Sequence, residues 1–172
     1  PYMSTALLIM CKDEFIKVKN IIKSCESVID EVVVVVTGDK KVKESGNYKV
    51  LYYPWHDCYS SPLNAGLRLI ESDWVFRMDT DEEMGRDEFG VKNVPNYKGY
   101  NSAVDDGCIR LFKNDPRIFF EFNTHETLYN SLDRGGFKYV KTDLVIHHWG
   151  KLNMKEKAPY YYQLAKDRLR KH

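Results

Sequence analysis

The 172 residues suffice for one domain with a buried core, and 43% hydrophobic with 30% charged residues is the balance of an ordinary globular protein. Lys and Arg number 26 against 25 Asp and Glu, a formal charge of +1, so no global field marks a nucleic-acid binder. No apolar run approaches the roughly 20 residues of a membrane span, and no charged-then-apolar leader is seen.

The chain starts at Pro1, as a fragment or trimmed chain would. Its cysteines, Cys11, Cys25, Cys58 and Cys108, show no C-x-x-C pairing and no histidine at zinc-finger spacing. They read as buried thiols of a reducing, cytoplasmic compartment.

Met3 to Cys11 is a continuous apolar run, expected to be a buried strand. Asp13 is placed to cap a helix in which Phe15, Val18, Ile21, Ile22, Cys25 and Ile29 recur at helical spacing. Val32 to Val36 are five consecutive valines, a fully buried strand closed by Thr37-Gly38-Asp39. Tyr48 to Tyr53 is a third strand. Ser61-Pro62 supplies a cap and a first-turn proline for a helix to about Glu71, and Trp74 to Met78 is a fourth strand. This order predicts an α/β domain with a mostly parallel central sheet flanked by helices.

Beyond Met84 the pattern loosens. A loop rich in Gly, Asn and Pro spans Gly85 to Gly99. Strand-like pieces follow at Cys108 to Phe112, Ile118 to Phe122 and Tyr139 to His147, with turns at Asn114-Asp115-Pro116 and Gly135-Gly136. Lys151 to His172 is a basic segment. Nothing marks a second domain. The chain reads as one unit over residues 1–172: a nucleotide-binding half (1–84), a small β-rich acceptor-side half (85–150) and the basic end (151–172).

In parallel sheets ligands bind beyond the carboxyl ends of the strands. Those ends carry Lys12-Asp13-Glu14, Thr37-Gly38-Asp39 and Asp79-Thr80-Asp81, so polar, largely acidic groups meet on one edge. Two aspartates spaced D-x-D at a strand end can face one space, and Mg²⁺ or Mn²⁺ is held by one or two carboxylates plus substrate phosphate oxygens. A solvated acidic turn is the bland alternative. The apolar lead-in and the neighbouring polar loops favour the metal–diphosphate site.

Seven stretches, in order, resemble a short family 2 glycosyltransferase of the GT-A fold. They are Lys12-Asp13-Glu14; Asp30-Glu31-Val32 through Thr37-Gly38; and Pro54-Trp55-His56-Asp57-Cys58-Tyr59-Ser60 with Asn64. Trp74 to Glu82, Arg110-Leu111-Phe112-Lys113-Asn114, His125-Glu126 and His148-Trp149-Gly150 complete them. The similarity runs from about residue 7 to residue 150, and it rests on the order of the motifs rather than on any one of them. Three positions depart from the pattern: Val36 stands for an aspartate, Leu63 for an arginine, and Asp39-Lys40-Lys41 for a serine-rich stretch. They leave the donor's base open.

The resemblance implies a GT-A fold, a nucleotide-sugar donor and a Mn²⁺- or Mg²⁺-dependent, inverting transfer to a saccharide, lipid or protein hydroxyl, with no nucleic-acid partner. It implies Lys12, Asp13, Glu14, Thr37, Gly38, Asp39, Asn64, Asp79 and Arg110 as donor-binding residues. Asp79, Asp81 and His148 become the metal-site residues, with Asp81 the direct ligand; an imidazole ligand points to manganese. Glu82 and Glu83 are left as surface or supporting groups. The base that takes the acceptor proton is Glu126, with Asp105 and Asp106 as rivals. Arg110 suits bidentate anion recognition, or an ordinary cross-strand ion pair. The basic segment reads first as a solvated helix, since its apolar face (Leu164, Ala165, Leu169) is small, with weak association with an anionic membrane surface as the second reading.

Other chemistries fit less well. A phosphatase with D-x-D would carry it after the first strand, and a nucleotidyltransferase would show a Gly-rich basic loop there. A glycosidase would need carboxylates facing one another from different strands. Outside enzymes, the three departures leave open a degenerate transferase fold kept as a binding or assembly module.

Overall fold

The computed structural model describes residues 3–41, 48–84, 103–105, 109–141 and 146–148, with only the backbone of several short strands among them. The expected loop over 85–99, the basic segment from 151, Asp106 and Trp149 lie outside the described residues.

The first half follows the sequence pattern. Strand β1 (Thr5–Cys11), helix α1 (Phe15–Cys25), β2 (Glu31–Val36), β3 (Tyr48–Tyr52), helix α2 (Ser60–Leu67) and β4 (Trp74–Asp79) occur in the predicted order. Then come β5 (Glu82–Met84), β6 (Ala103–Asp105), β7 (Ile109–Lys113), helix α3 (Tyr129–Gly135), β8 (Tyr139–Lys141) and β9 (Ile146–His148).

Seven strands form one sheet in the order β3-β2-β1-β4-β7-β6-β8, and β5 and β9 pair separately. Within the large sheet all described strands except β7 run the same way. The chain builds outward from β1 to β2 to β3, then crosses through α2 to place β4 on the other side of β1. That reversal opens a crevice above the carboxyl ends of β1 and β4. Register sets its floor: Met10 lies level with Asp79, and Cys11 with Val36.

Alternation along the strands makes two cores. Leu7, Ile9, Val32, Val34, Phe76 and Met78 pack under α1 with Val18, Ile21, Ile22 and Cys25. Ala6, Leu8, Val33, Val35 and Val75 face α2 and the 118–132 segment, meeting Leu63, Ile118, Phe120, Leu128 and Leu132. Gly66 lets α2 lie directly on the sheet. A Cβ there would stand 2.6 Å from Val35 Cγ2 and 2.8 Å from Leu8 Cδ1.

Several details differ from the sequence reading. The N-cap of α1 is Glu14, not Asp13, and α1 ends at Cys25 rather than reaching Ile29. Asp13 instead accepts the Lys40 N–H at 3.2 Å, tying two loops together. Helix α2 starts one residue before Ser61, and a turn closes it early, with the Leu69 and Ile70 amides donating to the Gly66 and Leu67 carbonyls. The expected strand Ile118–Phe122 is not one. It alternates like a strand, yet side chains satisfy its backbone: Asn64 brackets Phe120 with two 2.8 Å bonds, and Ser131 Oγ accepts the Phe119 N–H. The expected strand Tyr139–His147 is two strands in two different sheets. Helix α3 is additional, and Gly136 closes it at φ +69° as the expected Gly-Gly turn.

Candidate functional site

Period-two alternation puts Arg77 and Asp79 on one face of β4, the face of Val75 and α2. Arg77 is 8% exposed. Its Nη2 donates to Asp79 Oδ1 at 2.7 Å and also to Glu126 Oε1. The Phe120 ring lies beneath the guanidinium, 6.0 Å from Cζ to the ring centroid. One nitrogen therefore joins the carboxylate expected on the donor side to the one expected as base.

Arg110 reaches the same place by a different route. The β6–β7 register slips so that Val104 pairs with Leu111 but Asp105 with Ile109. Arg110 is the extra residue of that bulge, a device that re-aims side chains beside sites. Its Nη2 donates to Glu82 Oε1, and its Nη1 lies 3.5 Å from Asp79 Oδ2. The two cation-bearing side chains thus hold both oxygens of Asp79.

Glu82 takes the second of its two expected places, that of a supporting group. It is no surface acid: its side chain is 1% exposed, and Oε2 accepts the Asp79 N–H at 2.8 Å. Burial first, and then the charge of Asp79, push its carboxyl above the ordinary range, while Arg110 pulls against them. Glu82 shapes the acidic turn from beneath.

Glu126 stands on a loop closed by mutual bonds between Glu121 and Thr127, at 3.0 and 3.1 Å. Within it Phe122 and His125 have φ of 78° and 52°, and the Tyr59 N–H ties the preceding α2 segment to the Asn123 carbonyl. Asp57, at φ 52°, is the remaining non-glycine residue with positive φ among those described. Two of these three lie on the 121–127 loop and the third lies two residues before Tyr59, which bonds that loop, and backbone strain of this kind clusters at functional sites. His125 is exposed there, while Glu126 is largely covered.

The expected donor residues of the first two loops do come together. Glu14 accepts the Lys12 and Asp13 amides at 2.9 and 3.1 Å, and Thr37 bonds the Cys11 carbonyl through both its N–H and its hydroxyl. Gly38 permits the contact, since a Cβ would sit 2.3 Å from the Lys12 carbonyl oxygen. Asp39 is exposed beside them. Cys11 lies beneath, its thiol pushed up to about 12 by burial and by the Glu14 and Asp13 carboxylates. Asn64 lies elsewhere, with both ends of its amide engaged by Phe120. Asp105 lies on β6, where its backbone pairs with Ile109 and Lys141.

Sequence reasoning missed Arg77. The signal was available: a lone charge inside the apolar run of β4, two residues before Asp79 and so on its face.

Among the described residues no group of three His, Cys, Asp or Glu side chains is arranged to hold a metal ion. Backbone pairing nevertheless sets His148 directly opposite Glu82, one residue from Asp81. Asp79 already stabilises two cationic groups, and half-exposed Asp81 lies beside it. Asp79 and Asp81 bring to one turn the hard oxygen donors that a divalent ion completed by phosphate oxygens takes, while both oxygens of Asp79 are engaged by Arg77 and Arg110.

No protein-family profile matches the chain. It is 30% identical over 175 aligned positions to an uncharacterized glycosyltransferase of Rickettsia conorii, covering 90% of this chain and 60% of that protein. It is 24% identical over 144 positions to a TPR repeat-containing protein of Synechococcus elongatus, covering 74% of this chain and 36% of that protein. The chain thus spans 60% or less of the length of these curated relatives. Among solved structures it superposes on residues 1–349 of Staphylococcus aureus TarS in complex with UDP-GlcNAc, with a TM-score of 0.50 and 12% identity. That match covers 87% of this chain and 61% of the TarS chain, and it shows the shared α/β fold.

Proposed function

We propose that the chain is the catalytic part of a glycosyltransferase that moves a sugar from a nucleoside-diphosphate sugar to an acceptor hydroxyl. The observation that supports this best is the network at the carboxyl edge of the sheet. It links Asp79, at the donor turn, through Arg77 to Glu126, on the loop facing the acceptor half. Similarity to a named glycosyltransferase points the same way. TarS was solved with UDP-GlcNAc, which makes uridine diphosphate the first nucleotide to try.

In this reading Lys12, Asp13, Thr37, Gly38 and Asp39 cradle the nucleoside end of the donor. Asp81, Asp79 and His148 would hold Mn²⁺ or Mg²⁺, which supplies charge neutralisation for the departing diphosphate. Arg110 and Glu82 fix Asp79 at the turn. Glu126 accepts the proton of the acceptor hydroxyl as its oxygen bonds the anomeric carbon from the side opposite the diphosphate. The bond from that carbon to the diphosphate oxygen breaks, and its electron pair leaves with the diphosphate, so the configuration inverts. Arg77 keeps Glu126 aimed.

Calorimetric titration of a panel of nucleoside diphosphates, with and without Mn²⁺, into the protein and into Asp81→Ala is the test. Metal-dependent binding of one nucleotide, lost in the variant, supports the reading and names the base. Donor hydrolysis lost in Glu126→Gln then supports the base. No binding by the parent protein overturns the transferase reading and leaves a binding module of the same fold.

A further inference from the structure

Arg77 Nη2 is shared by two carboxylates from different parts of the chain, Asp79 at the end of β4 and Glu126 on the 121–127 loop. The guanidinium has little freedom to move. It is 8% exposed and packs on Phe120, whose backbone Asn64 clamps. It also keeps its charge, since arginine does not deprotonate in proteins. Asp79 and Glu126 therefore draw on one fixed donor, and what happens to one carboxylate must reach the other.

We propose that Arg77 is a positioning residue that couples the cation–diphosphate site at Asp79 to the placement of Glu126. The proposal rests on the transferase reading above. When Asp79 turns a lone pair toward a bound cation, its hold on Nη2 weakens and Arg77 settles on Glu126, fixing the base only once the donor is in place. Linkage makes the effect reciprocal. Removing the charge of Glu126 leaves Arg77 to Asp79 alone and makes Asp79 a poorer ligand. Removing Arg77 frees Asp79 Oδ1, with Oδ2 remaining beside Arg110.

The test is Mn²⁺ affinity, measured by calorimetry with UDP present, in the parent protein, Glu126→Gln, Arg77→Met and the double variant. Glu126→Gln is expected to weaken Mn²⁺ binding and Arg77→Met to tighten it, and in the double variant the effect of Glu126→Gln disappears. Couplings of this kind are about 5- to 150-fold. Arg77→Met is also expected to cut sugar transfer while tightening the cation, whereas a purely structural loss would weaken both. Arg77→Lys, which keeps the charge without the fork, serves if the methionine variant does not fold, and there the effect of Glu126→Gln shrinks. Unchanged Mn²⁺ affinity in Glu126→Gln sinks the coupling, as does an equal loss with and without Arg77. A parent protein that binds neither Mn²⁺ nor UDP brings down the transferase reading itself, and the coupling with it.

Discussion

Replacing Arg110 by methionine probes the foundation of the acidic turn. The substitution keeps most of the side chain's apolar bulk and removes the guanidinium that pairs with Glu82. The Glu82 side chain is 1% exposed, so its charge would remain buried beside the Asp79 N–H, which donates to it at 2.8 Å. Breaking a buried pair by removing one member costs about 3–5 kcal/mol, against about 5–15 kcal/mol for the whole stability of a typical domain. The longer Arg110–Asp79 contact adds little, because it spans 3.5 Å and Asp79 is 33% exposed.

The pH dependence sharpens the test. Burial and Asp79 already raise the Glu82 carboxyl above its ordinary 4.5. A raised folded-state value favours the fold in acid and withdraws that support as pH rises through it. Losing Arg110 raises it further. The deficit of Arg110→Met should therefore be full at alkaline pH and shrink as pH falls toward 4.5. Adding Glu82→Gln, which keeps the acceptor for the Asp79 amide and removes the charge, should restore most of the loss. Urea unfolding at alkaline and mildly acidic pH measures all of this. A variant within about 1 kcal/mol of the parent, or one equally destabilised at both pH values, refutes the buried-pair argument.

Gly66→Ala gains about 0.5–1 kcal/mol of helix propensity but meets Val35 and Leu8 at 2.6 and 2.8 Å, an overpacking cost of about 1–3 kcal/mol. Net destabilisation of about 1–2 kcal/mol is expected in urea unfolding, and a stabilised variant would contradict the packing. Glu31 accepts the amides of Glu71 and Ser72, the Ser72 hydroxyl and Lys49 Nζ. Burial would raise its carboxyl, but bonds from Lys49 and Ser72 outweigh it and hold it below the ordinary 4.5. A depressed value gives stability above 4.5 that is lost as pH falls through the folded-state value. Glu31→Gln should thus cost about 1–3 kcal/mol near neutrality, with the gap closing in acid; a gap that widens in acid would contradict the sign. Burial also resists ionisation of the Cys58 thiol, but hydrogen bonds with Ser60 and Ser61 prevail and lower it, whereas Cys11 stands at about 12. Iodoacetamide at neutral pH should label Cys58 well ahead of Cys11 by peptide mapping, and equal rates would overturn the assignment.

The sequence carried the first half of the fold almost completely. Strands such as Val32 to Val36 are apolar throughout because parallel strands are covered on both faces, and that pattern needs no tertiary knowledge to read. The D-x-D turn was legible for the same reason: charges concentrate where the strand leaves the core, and buried Arg77 is the exception on β4. The second half was less legible. Ile118 to Phe122 alternates as a strand does, but among the described residues only Glu121 pairs, with Thr127, and side chains of Asn64 and Ser131 take the backbone bonds of Phe119 and Phe120. Pairing partners distant in sequence leave no local trace.

The site divides in the same way. Local pattern located Asp79, Asp81, Glu126 and Arg110 as candidates, each marked by a polar residue at an element end or by motif order. The tertiary structure decided how they meet. The pairing of Arg110 with buried Glu82 and the bridge from Arg77 to Glu126 join residues 28 and 49 positions apart. For the apolar strands and helices, sequence determines which groups face the core, because that depends on each residue's own polarity and its neighbours' period; buried Arg77 and Glu82 needed the tertiary contacts. Which charge ends up beside which depends on strand order and register, and those are settled only when the whole sheet packs.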